Sequence, residues 1–194
     1  GYNALSTEDE HSANTAIGYS SLAVLNAGAH GYNTAVGYES GKQMTTGIQN
    51  TIIGGLTGDA LTTGSHNIAI GYGALGTEDT GGRNVAIGKA ALFNQNFDGS
   101  AYNVAIGYEA GANVSTGTHN TIIGGIAGDA LTTGLNNTLL GYNSGGALVG
   151  GSYNVALGYY ALASEDAHGK NVAIGWRALQ NQNAGAHAYN VAIG

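Results

Sequence analysis

The chain has no cysteine and no proline, and only 9% of its 194 residues are charged. Lack of cysteine excludes a disulfide scaffold and thiolate zinc sites. The basic residues Lys42, Arg83, Lys89, Lys170 and Arg177 are few and scattered, and the net charge is −7. A phosphate-binding surface needs clustered Lys and Arg, so nucleic acid is excluded as a partner. No apolar run approaches the roughly 20 residues of a membrane span, and no signal-peptide pattern is present. No membrane insertion by this segment is expected. Sparse charge does not imply disorder here, because 43% of the residues are apolar and they recur with a period.

Glycine is in excess, at 35 residues, and its placement is regular. A five-residue motif opens on Asn and closes on Gly, as in Asn84-Val85-Ala86-Ile87-Gly88. It occurs eleven times, bounded by Asn14 and Gly18, Asn33 and Gly37, Asn50 and Gly54, Asn67 and Gly71, Asn84 and Gly88, Asn103 and Gly107, Asn120 and Gly124, Asn137 and Gly141, Asn154 and Gly158, Asn171 and Gly175, and Asn190 and Gly194. The second position is Thr, Val or Ile. The third is Ala except at Ile52, Ile122 and Leu139. The fourth is always aliphatic, as at Ile87 and Ile106. Five such residues read as a short strand, with the second and fourth side chains on one face. The invariant aliphatic fourth position is expected to be buried. Gly ends the strand where the backbone turns or approaches a neighbour. Asn tolerates the left-handed conformation and is expected at a corner, where a stack of Asn side chains would bond along a ladder.

Successive Asn residues are 19, 17, 17, 17, 19, 17, 17, 17, 17 and 19 apart. Repetition at this period predicts a solenoid in which each coil lies on the last. The whole chain, 1–194, reads as one repeat array. Four-coil units fill residues 1–70 and 71–140, an extra coil occupies 141–157, and a third unit starts at 158. The chain starts and stops on a motif Gly, which predicts a segment of a longer array. After each motif comes a mostly aromatic position (Tyr19, Tyr38, Tyr72, Tyr108, Tyr142, Tyr159, Trp176). A small residue follows two positions later, from Ser21 and Ser40 to Ala161 and Ala178. This stretch is expected to form a second strand, with the small residues marking a tight place. Where the third motif position is Ile52 or Ile122, the aromatic position is Gly55 or Gly125. The two are therefore expected to share space.

Repeats of the form N-x-A-I-G-x-x-A resemble the YadA-like heads of trimeric autotransporter adhesins. They resemble still more the longer-repeat arrays of bacteriophage tail fibres and related virion fibre proteins. The resemblance covers essentially the whole chain, and the coils are longer than those of the adhesin heads. It implies an all-β fold: a left-handed parallel β-roll in a side-by-side homotrimer. It also implies a structural and attachment role on the virion, alongside other fibre proteins and facing a host cell-surface glycan or protein. The alternative is an adhesin head on a bacterial cell surface. Independently, a thin coil leaves apolar surface that three packed rolls would cover.

No enzyme, cofactor or metal site is expected. The Ser, His and Asp residues form no nucleophile motif, and Gly54-Gly55-Leu56-Thr57-Gly58 lacks the ending of a phosphate loop. A depolymerase would rest on Asp59, Asp129, Glu39 or Glu109. The acidic pairs Glu8-Asp9, Glu78-Asp79 and Glu165-Asp166 are carboxylates of the kind calcium takes, but they match no calcium loop and are expected to be solvated. His11, His30, His66, His119, His168 and His187 are expected in loops, without metal. Phe93, Phe97 and the neighbouring amides have the chemistry of a polysaccharide-binding surface. An ice-binding face would need a more regular Thr column than the motif's second position supplies.

Overall fold

The structure is a computed structural model that describes residues 1–8, 13–28, 30–183, 185 and 189–194. Each motif forms a three-residue strand: β1 (Thr15–Ile17), β2 (Thr34–Val36), β3 (Thr51–Ile53), β4 (Ile68–Ile70), β5 (Val85–Ile87), β6 (Val104–Ile106), β7 (Thr121–Ile123), β8 (Thr138–Leu140), β9 (Val155–Leu157), β10 (Val172–Ile174) and β11 (Val191–Ile193). They make a single parallel sheet in sequence order. Register is strict, each motif position pairing with its counterpart, so Ala86 lies opposite Ala105 and Ile87 opposite Ile106. The fold is an all-β solenoid of about ten turns.

The alternation of side chains is as expected, but the inward face is the other one. In β5 Ala86 is buried while Val85 and Ile87 are half-buried. The third position is the core in every internal coil: Ala35, Ile52, Ala69, Ala105, Ile122, Leu139, Ala156 and Ala173 are all fully buried. The second and fourth positions, Ile87 and Ile106 included, point out of the coil. The expectation that the fourth position is buried fails for the single chain. The third position shares the core with large residues from the turns and loops, such as Leu22, Leu75 and Leu92, so Ala takes the inside in most coils and the β-branched residues take the outside.

The stretch after each Gly is not a second strand. It is a run of turns in which alternate residues have positive φ, such as Leu22 (49°), Leu75 (52°), Leu92 (48°) and Leu162 (52°). Left-handed backbone is costly for Leu. It is held by hydrogen bonds between coils, such as Leu22 N–H to the Ser40 carbonyl at 3.0 Å and Leu92 N–H to that of Ala110 at 3.1 Å. The small column does mark a tight place, since Ser21, Ser40, Thr57, Ala74, Ala91, Ala110, Ala127, Ser144 and Ala161 have no exposure.

The exchange of size lies elsewhere than expected. Gly55 faces outward, where an added Cβ would meet only the Tyr72 ring at 3.6 Å. Ile52 instead packs inward against Gly58 and Gly41, Ile122 against Gly111 and Gly128, and Leu139 against Gly128 and Gly145. At Ala16, Ala69, Ala86 and Ala156 the glycine's place is taken by Leu22, Leu75, Leu92 and Leu162, whereas Ala35 and Ala105 keep Gly41 and Gly111, which Leu22 with Ile52 and Leu92 with Ile122 of the adjacent coils approach. A second large side chain from the loop, such as Leu25, Met44, Leu61, Val114, Leu131 or Leu148, completes the core of most layers.

Candidate functional site

Two features run the length of the solenoid, a buried polar seam and an outward apolar face. The seam is built by the motif Asn residues, which are buried from Asn33 to Asn171 and half-buried at Asn14 and Asn190. Each Oδ1 accepts the backbone N–H of the next coil's Asn: Asn33 from Asn50 at 2.9 Å, Asn50 from Asn67 at 2.9 Å, Asn67 from Asn84 at 3.0 Å, Asn120 from Asn137 at 3.0 Å. The last rung, Asn190 N–H to Asn171 Oδ1, is 3.2 Å. Where the next Asn is 17 residues on, Nδ2 also reaches a loop carbonyl fourteen residues on, as Asn67 to Gly81 at 3.0 Å and Asn120 to Gly134 at 2.9 Å. Asn is not itself the left-handed corner. The residue before it is, with φ of 50° at Tyr32, 64° at His66, 62° at Arg83 and 59° at His119. That kink turns the Asn side chain inward, where a second residue type with both donor and acceptor arms would be needed to replace it.

The motif Gly residues Gly18, Gly37, Gly54, Gly71, Gly88, Gly107, Gly124, Gly141, Gly158, Gly175 and Gly194 all have φ between 127° and 144°. At Gly107 a Cβ would lie 2.5 Å from the Gly124 carbonyl oxygen and 2.6 Å from its carbon. Successive coils therefore touch backbone to backbone at this column.

The outward face carries the second and fourth motif positions of all eleven strands, among them Ile17, Ile53, Ile68, Val191 and Ile193 as exposed side chains. It is flanked by aromatic residues stacked from coil to coil: Tyr2 on Tyr19 at 5.5 Å, Tyr19 on Tyr38 at 5.4 Å, and Tyr142 on Tyr159 at 5.6 Å between ring centroids. On the other flank Tyr102 stacks on His119 at 5.3 Å and lies 5.8 Å under the Arg83 guanidinium.

The Glu of each described acidic pair departs from the solvated loop expected, while Asp166 is exposed and Asp79 half-buried. Glu78 and Glu165 are fully buried, and Glu8 is half-buried; Asp9, like His11 and His187, lies outside the described residues. Burial pushes the Glu78 carboxyl up to about 7, against the opposing effect of N–H groups donated by Gly81 and Phe97. Glu165, Asp166 and His168 bring ligand-type atoms within 4.8 Å of one another. That carboxylate already accepts the His168 N–H at 3.1 Å and faces its Nδ1 at 3.2 Å. His30, His66 and His119 are at the surface.

The carboxylates that an enzyme would use do not converge. Glu39 pairs with Lys42 at 2.9 Å and Glu109 with Lys89 at 3.9 Å. Asp59 and Asp129 are each raised by desolvation, seventy residues apart. A recess of about 240 Å³ is lined by Thr63, Ser65, His66, Thr80, Gly82, Arg83, Gly99 and Ser100, and contains none of the four. Phe93 is exposed and Phe97 half-buried. No helix among the described residues is long and apolar enough to cross a membrane.

Fold and seam together define a repeat protein of the parallel β-solenoid class. No family model, curated protein or solved structure matches the chain.

Proposed function

We propose that the chain is a structural segment of a trimeric fibre of the bacteriophage tail-fibre kind, a spacer that positions host-receptor binding at a distance. The observation that carries this reading is the outward aliphatic face. Its fourth-position column is aliphatic in all eleven strands, its second position is Val or Ile in six and Thr in five, and stacked tyrosines border parts of it; a long apolar column of this kind marks an interface. Three copies side by side cover it with closed symmetry. The strands rise about 4.8 Å per coil, so eleven coils make a rod on the order of 50 Å long. Departures from the motif recur in step with the four-coil unit, as duplication of a stalk produces, whereas a receptor site selects particular side chains at one place. The proposed setting is the virion, with other fibre proteins as neighbours and a host surface glycan or protein as the target of the assembly. No catalysis is assigned to it.

Light scattering on the isolated chain is expected to give a trimer mass, and a stable monomer at micromolar concentration refutes the reading. Excising residues 1–70 from the intact fibre is expected to shorten it by about four coils, roughly 19 Å, with its target unchanged. Loss of the target with fold and trimer intact would show that the segment itself recognises it, as an adhesin head does.

A further inference from the structure

The buried glutamates follow a rule that the loops explain. Glu8, Glu78 and Glu165 each stand six residues before a motif Asn: Asn14, Asn84 and Asn171. Those three Asn residues are the ones that open a 19-residue spacing. In 17-residue coils the same position is Met44, Leu61, Val114, Leu131 or Leu148, all fully buried. The Glu78 carboxylate fills the place of those aliphatic tips. A Cβ added at Gly81 would meet Glu78 Oε1 at 2.5 Å, just as one at Gly64 would meet Leu61 Cδ2 at 2.6 Å.

At Asn14 and Asn84, which open 19-residue spacings, the Asn amide lacks the loop carbonyl that it bonds in the 17-residue coils. Asn14 turns its Nδ2 instead to Glu8 Oε2, at 3.0 Å. Asn84 Nδ2 is buried without any partner. Glu78 uses its oxygens on the loops themselves: Oε1 accepts Gly81 N–H at 2.8 Å, and Oε2 accepts Phe97 N–H of the long loop at 3.4 Å. Around it the long loop is tied to the preceding coil by Gly82 N–H to the Gly99 carbonyl at 2.9 Å, Ala101 N–H to that of Gly82 at 3.1 Å, and the Thr80 hydroxyl to Asp98 Oδ1 at 2.8 Å.

We propose that Glu78 is a proton-operated latch on the long loop of residues 94–102, closed when its buried carboxyl is neutral and loosened when it ionises. Among the described residues no cation is placed to hold the ionised form. On its own loop Asp79 raises it further. The loop above bears Asp98, another negative charge, already bonded to Thr80. The coil below presents Leu61, and Gln95 is the residue above in the same column. Arg83 and His66 line the outer recess, Arg83 donating to Ser100. Ionisation thus leaves a buried charge with two N–H groups and an acidic surround, which is costly.

The sign of the linkage follows. The folded carboxyl titrates near 7, above its ordinary 4.5, so the folded state holds the proton more tightly. The stabilisation is complete below pH 4.5 and is lost as pH rises to about 7. The difference, roughly 2.5 pH units, weakens the folding equilibrium of this region by about 300-fold.

The test follows the Glu78 side-chain carboxyl carbon by NMR in the wild-type chain from pH 3.5 to 9, with backbone amide exchange at Gly81 and Phe97. Urea midpoints of wild type, Glu78→Gln and Glu78→Leu are taken at pH 5 and pH 8. A midpoint near 7 is expected for the carboxyl, with faster exchange at both amides above it. The wild-type urea midpoint is expected to fall between pH 5 and 8 by more than either variant's. Glu78→Leu restores the residue found at 61, 131 and 148, so it provides a non-titrating reference should the Gln variant fail to fold. A carboxyl midpoint at or below 4.5, or parallel pH dependence in wild type and variants, overturns the proposal.

Discussion

Truncating one rung of the Asn seam offers the sharpest check on how the coils are held together. In Asn120→Ala the Asn137 backbone N–H loses its acceptor, Asn120 Oδ1 at 3.0 Å, and the Gly134 carbonyl loses Asn120 Nδ2 at 2.9 Å. Other partners survive. Asn103 Oδ1 still takes the N–H of residue 120 at 2.9 Å, and Asn137 Nδ2 still reaches the Gly151 carbonyl at 2.9 Å. Two buried backbone groups are left unpaired, each costing about 1–3 kcal/mol, so the variant is expected to lose about 4 kcal/mol. With a urea slope of about 2 kcal/mol per molar, the midpoint falls by about 2 M. Because solenoid stability is a sum of neighbour terms, the damage is local, and the amide of Asn137 is expected to lose exchange protection. Asn94→Ala is the control, since it removes only an exposed bond to Asn113 at 2.9 Å and is expected to cost under about 0.5 kcal/mol. Equal midpoints for the two variants, with the Asn137 amide still protected, would refute the seam as the source of this stability.

The two faces of the strand separate in a second comparison. Ala86→Asp puts an unpaired charge in the core and is expected to destroy the local fold, whereas Ile87→Asp is expected to leave the single chain folded and lower the mass seen in sedimentation. Circular dichroism that collapses for Ile87→Asp but not for Ala86→Asp would reverse the assignment. At the glycine column, Gly107→Ala drives a methyl into the Gly124 backbone and is expected to lower the melting temperature by several degrees, a loss on the order of 2–3 kcal/mol. Gly185→Ala, with nothing within 4 Å of its Cβ, is expected to change it by less than one degree, and similar melting temperatures for the two would rule out close backbone contact.

The sequence alone determined the number of coils, their lengths and the placement of the motif strands, though not that the stretch after each Gly forms turns instead of a second strand. Those follow from period-two alternation and from a Gly that recurs where coils touch, which are local properties of the chain. It did not determine which face turns inward. Both faces of a strand such as Val85-Ala86-Ile87 are apolar, and alternation is symmetric between them. The tertiary structure decided, because the third position shares a narrow core with the turn position opposite it, where a large residue on one wall leaves room only for a small one on the other. That limit also explains why Ile52 trades size with Gly58 rather than Gly55, a pairing visible only once the turn brings the two walls together. The left-handed leucines were hidden because no isolated Leu prefers that backbone; hydrogen bonds from neighbouring coils impose it. Glu78 read as a surface loop residue for the same kind of reason. Its burial comes from taking the core place that Leu61 fills in the coil below, and that place exists only when one coil is laid on the next.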